Sequence, residues 1–146
     1  RYLSLSSMAV YQQTLNLQSI GADLCAITVD LEKVLVGSGL SKGVLSVFCQ
    51  HTSCSLVIME NADPSARHDL VAWLNRLVPE NDPEYTHTFE GADDMPSHIK
   101  MALTRTSESV PFSNTQLLLG TWQGVFLWEH RRRAQIRRLI VTVTGE

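Results

Sequence analysis

The chain is poor in cysteine: there are three, Cys25, Cys49 and Cys54, an odd number with no Cys-x-x-Cys spacing. That argues against a disulfide framework and against a structural zinc site built on thiolates. The expectation is small buried thiols in a reducing compartment. Long apolar runs are missing too. No window approaches the ~18 uninterrupted apolar residues that cross a bilayer, so no membrane partner is expected. The opening stretch, Arg1 to Val10, is serine-rich and has no charged segment followed by an apolar one. It does not read as a signal peptide, and the expected location is cytoplasmic. Positive charge has no surplus: the net charge is −3, which disfavours a nucleic-acid partner. The local run Arg131-Arg132-Arg133 with Arg137-Arg138 is left either to hold a phosphate or to be a solvated turn. Also absent are a G-x-S-x-G elbow, a Walker loop, a G-x-G-x-x-G after a strand and an H-E-x-x-H helix. No repeat, low-complexity stretch or linker interrupts the chain, so residues 1–146 read as one domain.

What is present supports an ordinary core. Hydrophobic residues make up 44% and charged residues 18% of 146 residues, a size at which folding buries roughly two-thirds of the unfolded surface. Met8 to Leu17 has the composition of a strand, with Gln12, Gln13 and Gln18 outward. Ile27, Leu31, Val34 and Leu35 fall at helical spacing, with Thr28 as a cap and Gly37 or Gly39 as a stop. Val44–Cys49 and Leu56–Met59 read as strands. Asp63-Pro64 opens a helix whose apolar stripe is Ala66, Leu70, Trp73, Leu74 and Leu77 and which Pro79 ends. Asp94, with Pro96, starts a third helix through Leu103. Strands are then expected at Ser109–Phe112, Gln116–Leu119, Gly124–Glu129 and Arg137–Thr144, with Ser113-Asn114-Thr115 as a hairpin turn. Val125, Phe126, Leu127 and Trp128 are apolar on both faces, which places their strand centrally under double cover. The fold class is α+β: a β-sandwich-like mixed sheet core with about three flanking helices. So much apolar strand also favours an oligomer.

Histidines and carboxylates supply the candidate chemistry. His51 ends the Leu45, Val47, Cys49 face of its strand and stands where a sheet rim would begin, either a candidate catalytic position or a histidine hydrogen-bonded to nearby backbone. In the segment from His87 to His98, Asp94 lies at a helix start and His98 one turn later on the same side, so the two can converge. Imidazole with carboxylate suits Zn²⁺, whereas carboxylate alone suits Mg²⁺. The alternative for Glu90, Asp93 and Asp94 is complementing the helix dipole, and it is favoured for Asp93. Glu129 and His130 are adjacent on a strand and point to opposite faces. Glu129 goes with Val125 and Leu127, and a buried carboxylate there needs a partner, for which Arg131 to Arg133 are the candidates. His130 goes with Phe126 and Trp128 and is the pick as a ligand, giving the metal set His87, Asp94, His98 and His130. Gly120-Thr121-Trp122-Gln123-Gly124 could present Trp122 as a stacking wall and Gln123 as a hydrogen-bonding group; the alternative is a turn in which Trp122 is simply core. His68 falls off its helix stripe and reads as surface.

The ordered set His51-Thr52-Ser53-Cys54-Ser55-Leu56, Glu60-Asn61-Ala62-Asp63-Pro64, Asp94-Met95-Pro96-Ser97-His98-Ile99-Lys100, Leu119-Gly120-Thr121-Trp122-Gln123-Gly124 and Thr142-Val143-Thr144-Gly145-Glu146 resembles the YjbQ-like family. The resemblance runs from about Val10 to Glu146. Met59 stands where that family more often has Asn, and Asn114-Thr115 replaces a more usual Asn/Asp-Gly turn. The resemblance implies a β-rich fold with flanking helices, a homotrimer, a metal-binding cleft rich in His and acidic residues, and a weak, secondary thiamine-phosphate synthase activity. That reaction joins a pyrimidine-methyl diphosphate to a thiazole phosphate and expels pyrophosphate. It calls for a divalent cation on the leaving diphosphate, cations for phosphate and a flat wall for the rings. On this chain Asp94 and His98 would hold the metal, Zn or Mg. Lys100 and the Arg131 to Arg133 run would meet the phosphorylated small molecule, Thr121, Trp122 and Gln123 would line the ligand, and His51, Glu129 and Lys100 would take the catalytic roles. Two other readings use the same residues: a metal-dependent hydrolase of a small phosphorylated heterocycle, and a trimeric metal- or ligand-binding protein with no main catalytic role.

Overall fold

Among the described residues eight strands and three helices follow one another: β1 Ala9–Gln18, β2 Asp23–Ala26, α1 Thr28–Ser38, β3 Gly43–Cys49, β4 Cys54–Glu60, α2 Pro64–Leu77, α3 Asp94–Leu103, β5 Ser107–Ser113, β6 Gln116–Leu117, β7 Gln123–Glu129 and β8 Ile136–Gly145. These come from a computed structural model that describes residues 7–146; most of the serine-rich opening therefore lies outside the described residues. The strands form a five-stranded sheet, ordered β1-β8-β3-β5-β6, and a three-stranded sheet, ordered β2-β7-β4. Their pairings are antiparallel. The fold is α+β.

The period-2 patterns set the layers. Leu45, Val47 and Cys49 of β3, Val110 and Phe112 of β5, and Leu139, Val141 and Val143 of β8 point inward from the large sheet. Cys54 and Leu56 of β4 and Val125 and Leu127 of β7 meet them from the small one, and α1 closes the same core with Leu31, Val34 and Leu35. The other face of the small sheet, with Leu24, Phe126 and Trp128, packs on Leu74 and Val78 at the end of α2 and on Ile99 of α3. β7 is thus covered on both faces and flanked by strands on both edges, as its unbroken apolar run predicts.

Local chemistry explains most boundaries. The Asp63 carboxylate accepts the Ser65 backbone N–H at 2.9 Å with Pro64 in the first turn, and Gly39 ends α1 in the left-handed conformation at φ 69°. Asn114 and Thr115 turn the β5–β6 hairpin with φ of 53° and 57°, a primed turn built without glycine. Several expectations shift. Thr28 is no cap: Ile27 holds that position, and the Thr28 hydroxyl accepts the Val125 N–H at 3.0 Å, fastening α1 to β7. The strand expected over Gln116–Leu119 stops at Leu117, and β2 was not foreseen. On α2, Leu74 is buried while Trp73 and Leu77 stay exposed. His68 is exposed, as read.

Register brings one rim of the sandwich together. Cys49 pairs with Leu139 at the start of β8, and Cys54 pairs with Glu129 at the end of β7. The Gln50–Ser53 crossover, the Glu129–Gln135 turn and the N-terminus of α3 therefore meet there.

Candidate metal centre

Three acceptor groups converge at this rim. Asp94 opens α3 and His98 follows one turn later, so both point the same way; His87 comes in from the irregular segment before the helix. His87 Nε2 lies 2.7 Å and His98 Nε2 3.0 Å from the same oxygen, Asp94 Oδ2. The three ligand atoms lie within 4.8 Å of one another. The imidazole rings are tilted at 53° with centroids 5.4 Å apart, so they share the carboxylate without stacking.

The surroundings fix the orientation of each group. His98 Nδ1 is 2.6 Å from the Thr52 carbonyl, which can only accept, so Nδ1 carries a proton and Nε2 is turned toward the carboxylate oxygen. That arrangement wants a positive charge between the two atoms, either a second proton or a metal ion. Asp94 is buried, and its second oxygen, Oδ1, accepts from Arg131 Nη1. Arg131 also donates from Nε to Asp93 Oδ2 at 3.1 Å and from Nη2 to the Glu90 carbonyl at 2.9 Å. Burial would push the Asp94 carboxyl up, but the His87 hydrogen bond, His98 and the Arg131 guanidinium outweigh it and hold its pKa below the usual carboxylate range. Beside the cluster is a hollow of about 200 Å³ lined by Tyr85, His87, Thr88 and Met95. Two imidazoles and one carboxylate are a donor set for a transition-metal dication, with a fourth position left for water or a ligand.

The other expected site residues are placed elsewhere. His130, picked as a metal ligand, is outside the cluster. It is 4% exposed, its Nε2 is 2.8 Å from Ser55 Oγ, and its ring packs on Trp128. Burial, then Lys100 and Arg137, push its pKa down to about 3, so it stands neutral between Ser55 and Trp128. Glu129 has no catalytic freedom. Its partner is Arg137, which donates from Nε at 2.8 Å and from Nη2 to the other oxygen, and Ser19 and the Arg131 N–H also donate to it. The expected partner side chains, Arg131 to Arg133, do not reach it because the chain turns before them. Lys100 is buried and gives its ammonium to Asn75 Oδ1 at 2.6 Å; burial lowers its pKa, and Glu80 and Asp93 oppose that. His51 accepts the Arg138 backbone N–H at 2.7 Å and lines a hollow with Asn16 and Ile136, so it serves the β3–β8 rim and leaves its neighbour Thr52 to contact His98. Asp93 holds the N-cap position of α3 and is also tied to Arg131 and to the Arg132 N–H.

Thr121, Trp122 and Gln123 form a turn at the start of β7. The Gly120 N–H donates to Gln123 Oε1 at 2.8 Å, and Trp122 is 64% exposed. At ~3.3 Å per residue, β7 puts that turn about 20 Å from Glu129, so Trp122 does not face the cluster within one chain.

Comparison with known proteins places the chain. The family described as UPF0047 protein YjbQ-like matches residues 13–146. The chain belongs to that family. A UPF0047 protein of Synechocystis sp. is 47% identical over 143 residues, covering 98% of this chain and 97% of its own. The UPF0047 protein YjbQ of Escherichia coli O157:H7 is 42% identical over 137 residues, covering 93% and 99%. Among solved structures, a YjbQ/UPF0047 family protein of Clostridium acetobutylicum superposes with a TM-score of 0.76 at 31% identity over 91% of this chain and 98% of its own. A YbjQ-like protein of Sulfolobus solfataricus reaches 0.86 at 21% identity over 96% and 100%, a likeness of fold. For the YjbQ-like fold seen here, Asp94-x-x-x-His98 was the readable part of the centre. Arg131 and the Thr52 carbonyl were missed as its supports, because each reaches it from a distant part of the chain.

Proposed function

We propose that His87, Asp94 and His98 bind a divalent cation, Zn²⁺ in preference to Mg²⁺, and that the bound ion assists chemistry on a small phosphorylated compound. The observation that supports this is the convergence on one oxygen: His87 Nε2 and His98 Nε2 both face Asp94 Oδ2, with His98 Nδ1 held by Thr52 and the other Asp94 oxygen held by Arg131. Three protein ligands fit a catalytic site better than a closed structural one. When bound, the ion supplies Lewis-acid stabilisation of a leaving oxyanion or a hydroxide at neutral pH. Asp94 and the two imidazoles hold it, Arg131 fixes which carboxylate oxygen points inward, and the hollow beside His87 gives a ligand its approach.

The reaction that family membership suggests is thiamine-phosphate formation with release of pyrophosphate, as a secondary activity. Metal-dependent hydrolysis of a phosphorylated heterocycle is the second reading. It is favoured by the commitment of Arg131 and Lys100 to protein partners, which takes away two of the cations expected to hold a second phosphate. A homotrimer and a cytoplasmic location belong to the same proposal. The test is metal analysis of the purified protein by mass spectrometry, then thiamine-phosphate formation and phosphate release by wild type and His98→Ala. Stoichiometric metal in wild type, with metal and turnover lost together in the variant, is the expected result. Equal turnover in both removes the mechanism, and bound metal without either activity leaves a binding protein.

A further inference from the structure

The crossover that carries Thr52 begins and ends in a cysteine. Cys49 is the last residue of β3 in the large sheet, and Cys54 is the first of β4 in the small one. Their side chains turn into the same core, 1% and 0% exposed, with sulfurs 3.2 Å apart. The loop between them is solvent-facing at Gln50 and Thr52 and is tied down on its inner side. The Thr52 carbonyl accepts from His98 Nδ1, and the Ser53 carbonyl and hydroxyl accept from Arg137 Nη2 at 3.3 and 2.9 Å.

We propose that Cys49 and Cys54 are a redox couple, closed to a disulfide by a small peroxide, and that closure moves the Gln50–Ser53 loop off His98 and so weakens the metal centre. The second half rests on the metal-binding reading above; the first does not. The sulfurs need to close only from 3.2 Å to about 2.05 Å for a bond. Cys49 is the attacking thiol. The hydrogen bond from Cys54 lowers its pKa, burial opposes this, and a backbone N–H and Arg137 reinforce the lowering, while the Cys54 thiol is pushed up. The Cys49 thiolate attacks one oxygen of hydrogen peroxide and the O–O bond breaks. The departing hydroxide takes up the thiol proton as water, leaving a sulfenic acid. The Cys54 sulfur then displaces the sulfenic hydroxyl, which leaves as a second water. Two thiols have lost two electrons and one peroxide has become two waters. The new bond ties the two sheets together across the loop. The Thr52 carbonyl that fixed the His98 tautomer moves with it, and loss of such a support costs about 10–100-fold in metal affinity.

The experiment treats purified reduced protein with hydrogen peroxide and counts thiols after denaturation. Zn²⁺ affinity is then measured for the reduced, oxidised and dithiothreitol-rereduced forms and for Cys49→Ala/Cys54→Ala. Of three thiols, one should remain, and the tryptic peptide from Gly43 to Arg67 should be lighter by two hydrogens. Zn²⁺ affinity should fall about tenfold or more on oxidation, return on rereduction, and not respond to peroxide in the double variant. If the double variant does not fold, the rereduction cycle on wild type carries the same comparison. Three surviving thiols overturn the couple. A disulfide with unchanged Zn²⁺ affinity overturns its link to the metal centre. A reduced protein that binds no Zn²⁺ while the disulfide still forms overturns the metal reading and upholds the thiol pair.

Discussion

At the scale of single residues, the centre depends on groups that never touch the proposed ion. Arg131 holds Asp94 Oδ1, and the Thr52 carbonyl holds His98 Nδ1. Arg131→Lys keeps the charge but loses the fork that spans Asp93, Asp94 and the Glu90 carbonyl, so metal affinity should drop about 10–100-fold with little change in fold. Isothermal titration with Zn²⁺ measures this, and an unchanged affinity would remove Arg131 from the centre. The buried Glu129–Arg137 pair is a different case. Glu129→Gln leaves Arg137 without its counter-charge in the core, an expected loss of about 3–5 kcal/mol by urea denaturation; a loss below about 1 kcal/mol would mean that water reaches the pair. Spacing made Asp94 and His98 legible because one helical turn converts sequence distance into proximity. The need of Glu129 for a partner was legible too, but its identity was not. Arg137 lies in the next strand, and only the register of β7 and β8 against the crossover sets it opposite. His130 was misread for the same reason. Alternation told which way it points, not that Ser55 and Trp128 take up that face.

Elements were legible in proportion to how local their determinants are. Asp63-Pro64 declared the start of α2, Gly37 and Gly39 offered two stops for α1 of which Gly39 is used, and the double-sided apolar run declared β7 central. β2 has four residues, Asp23–Ala26, too few for a period to show, and it exists because β7 offers it an edge. Thr28 had the right chemistry for a cap and was used for a longer-range bond. Between elements the tightest fit is the pairing of Gly43 with Gly145: a Cβ on Gly145 would lie 2.0 Å from the Lys42 carbonyl oxygen. Gly145→Ala must therefore spread β3 from β8. The expected loss is about 1–3 kcal/mol, seen as a lower Tm by calorimetry. A Tm equal to wild type would show that the strands part there without cost.

For the whole molecule, the neutral His130 makes stability depend on pH. Its pKa is about 3 when folded and ~6.5 when unfolded, so between those values the unfolded chain binds a proton that the folded one refuses. Stability is complete above the unfolded value and falls as pH drops toward the folded one, by on the order of 5 kcal/mol over the full window. Urea denaturation between about pH 5 and 6.5 avoids most carboxylate titration. His130→Gln should flatten the slope there, and an unaltered slope would assign it to other groups. The proposed homotrimer belongs to this scale too. Val44 and Phe48 of β3 and Val10 of β1 are exposed on large-sheet strands, and light scattering should give about three times 16.3 kDa.

The large sheet is ordered so that β8 lies between β1 and β3. During synthesis β3 can pair with β5, but β1 and the facing edge of β3 stay open until β8 emerges, and only then can the rim that holds Thr52, Glu129 and Asp94 close. A metal ion therefore has nothing to template early in folding; added Zn²⁺ should slow unfolding and leave the refolding rate almost untouched.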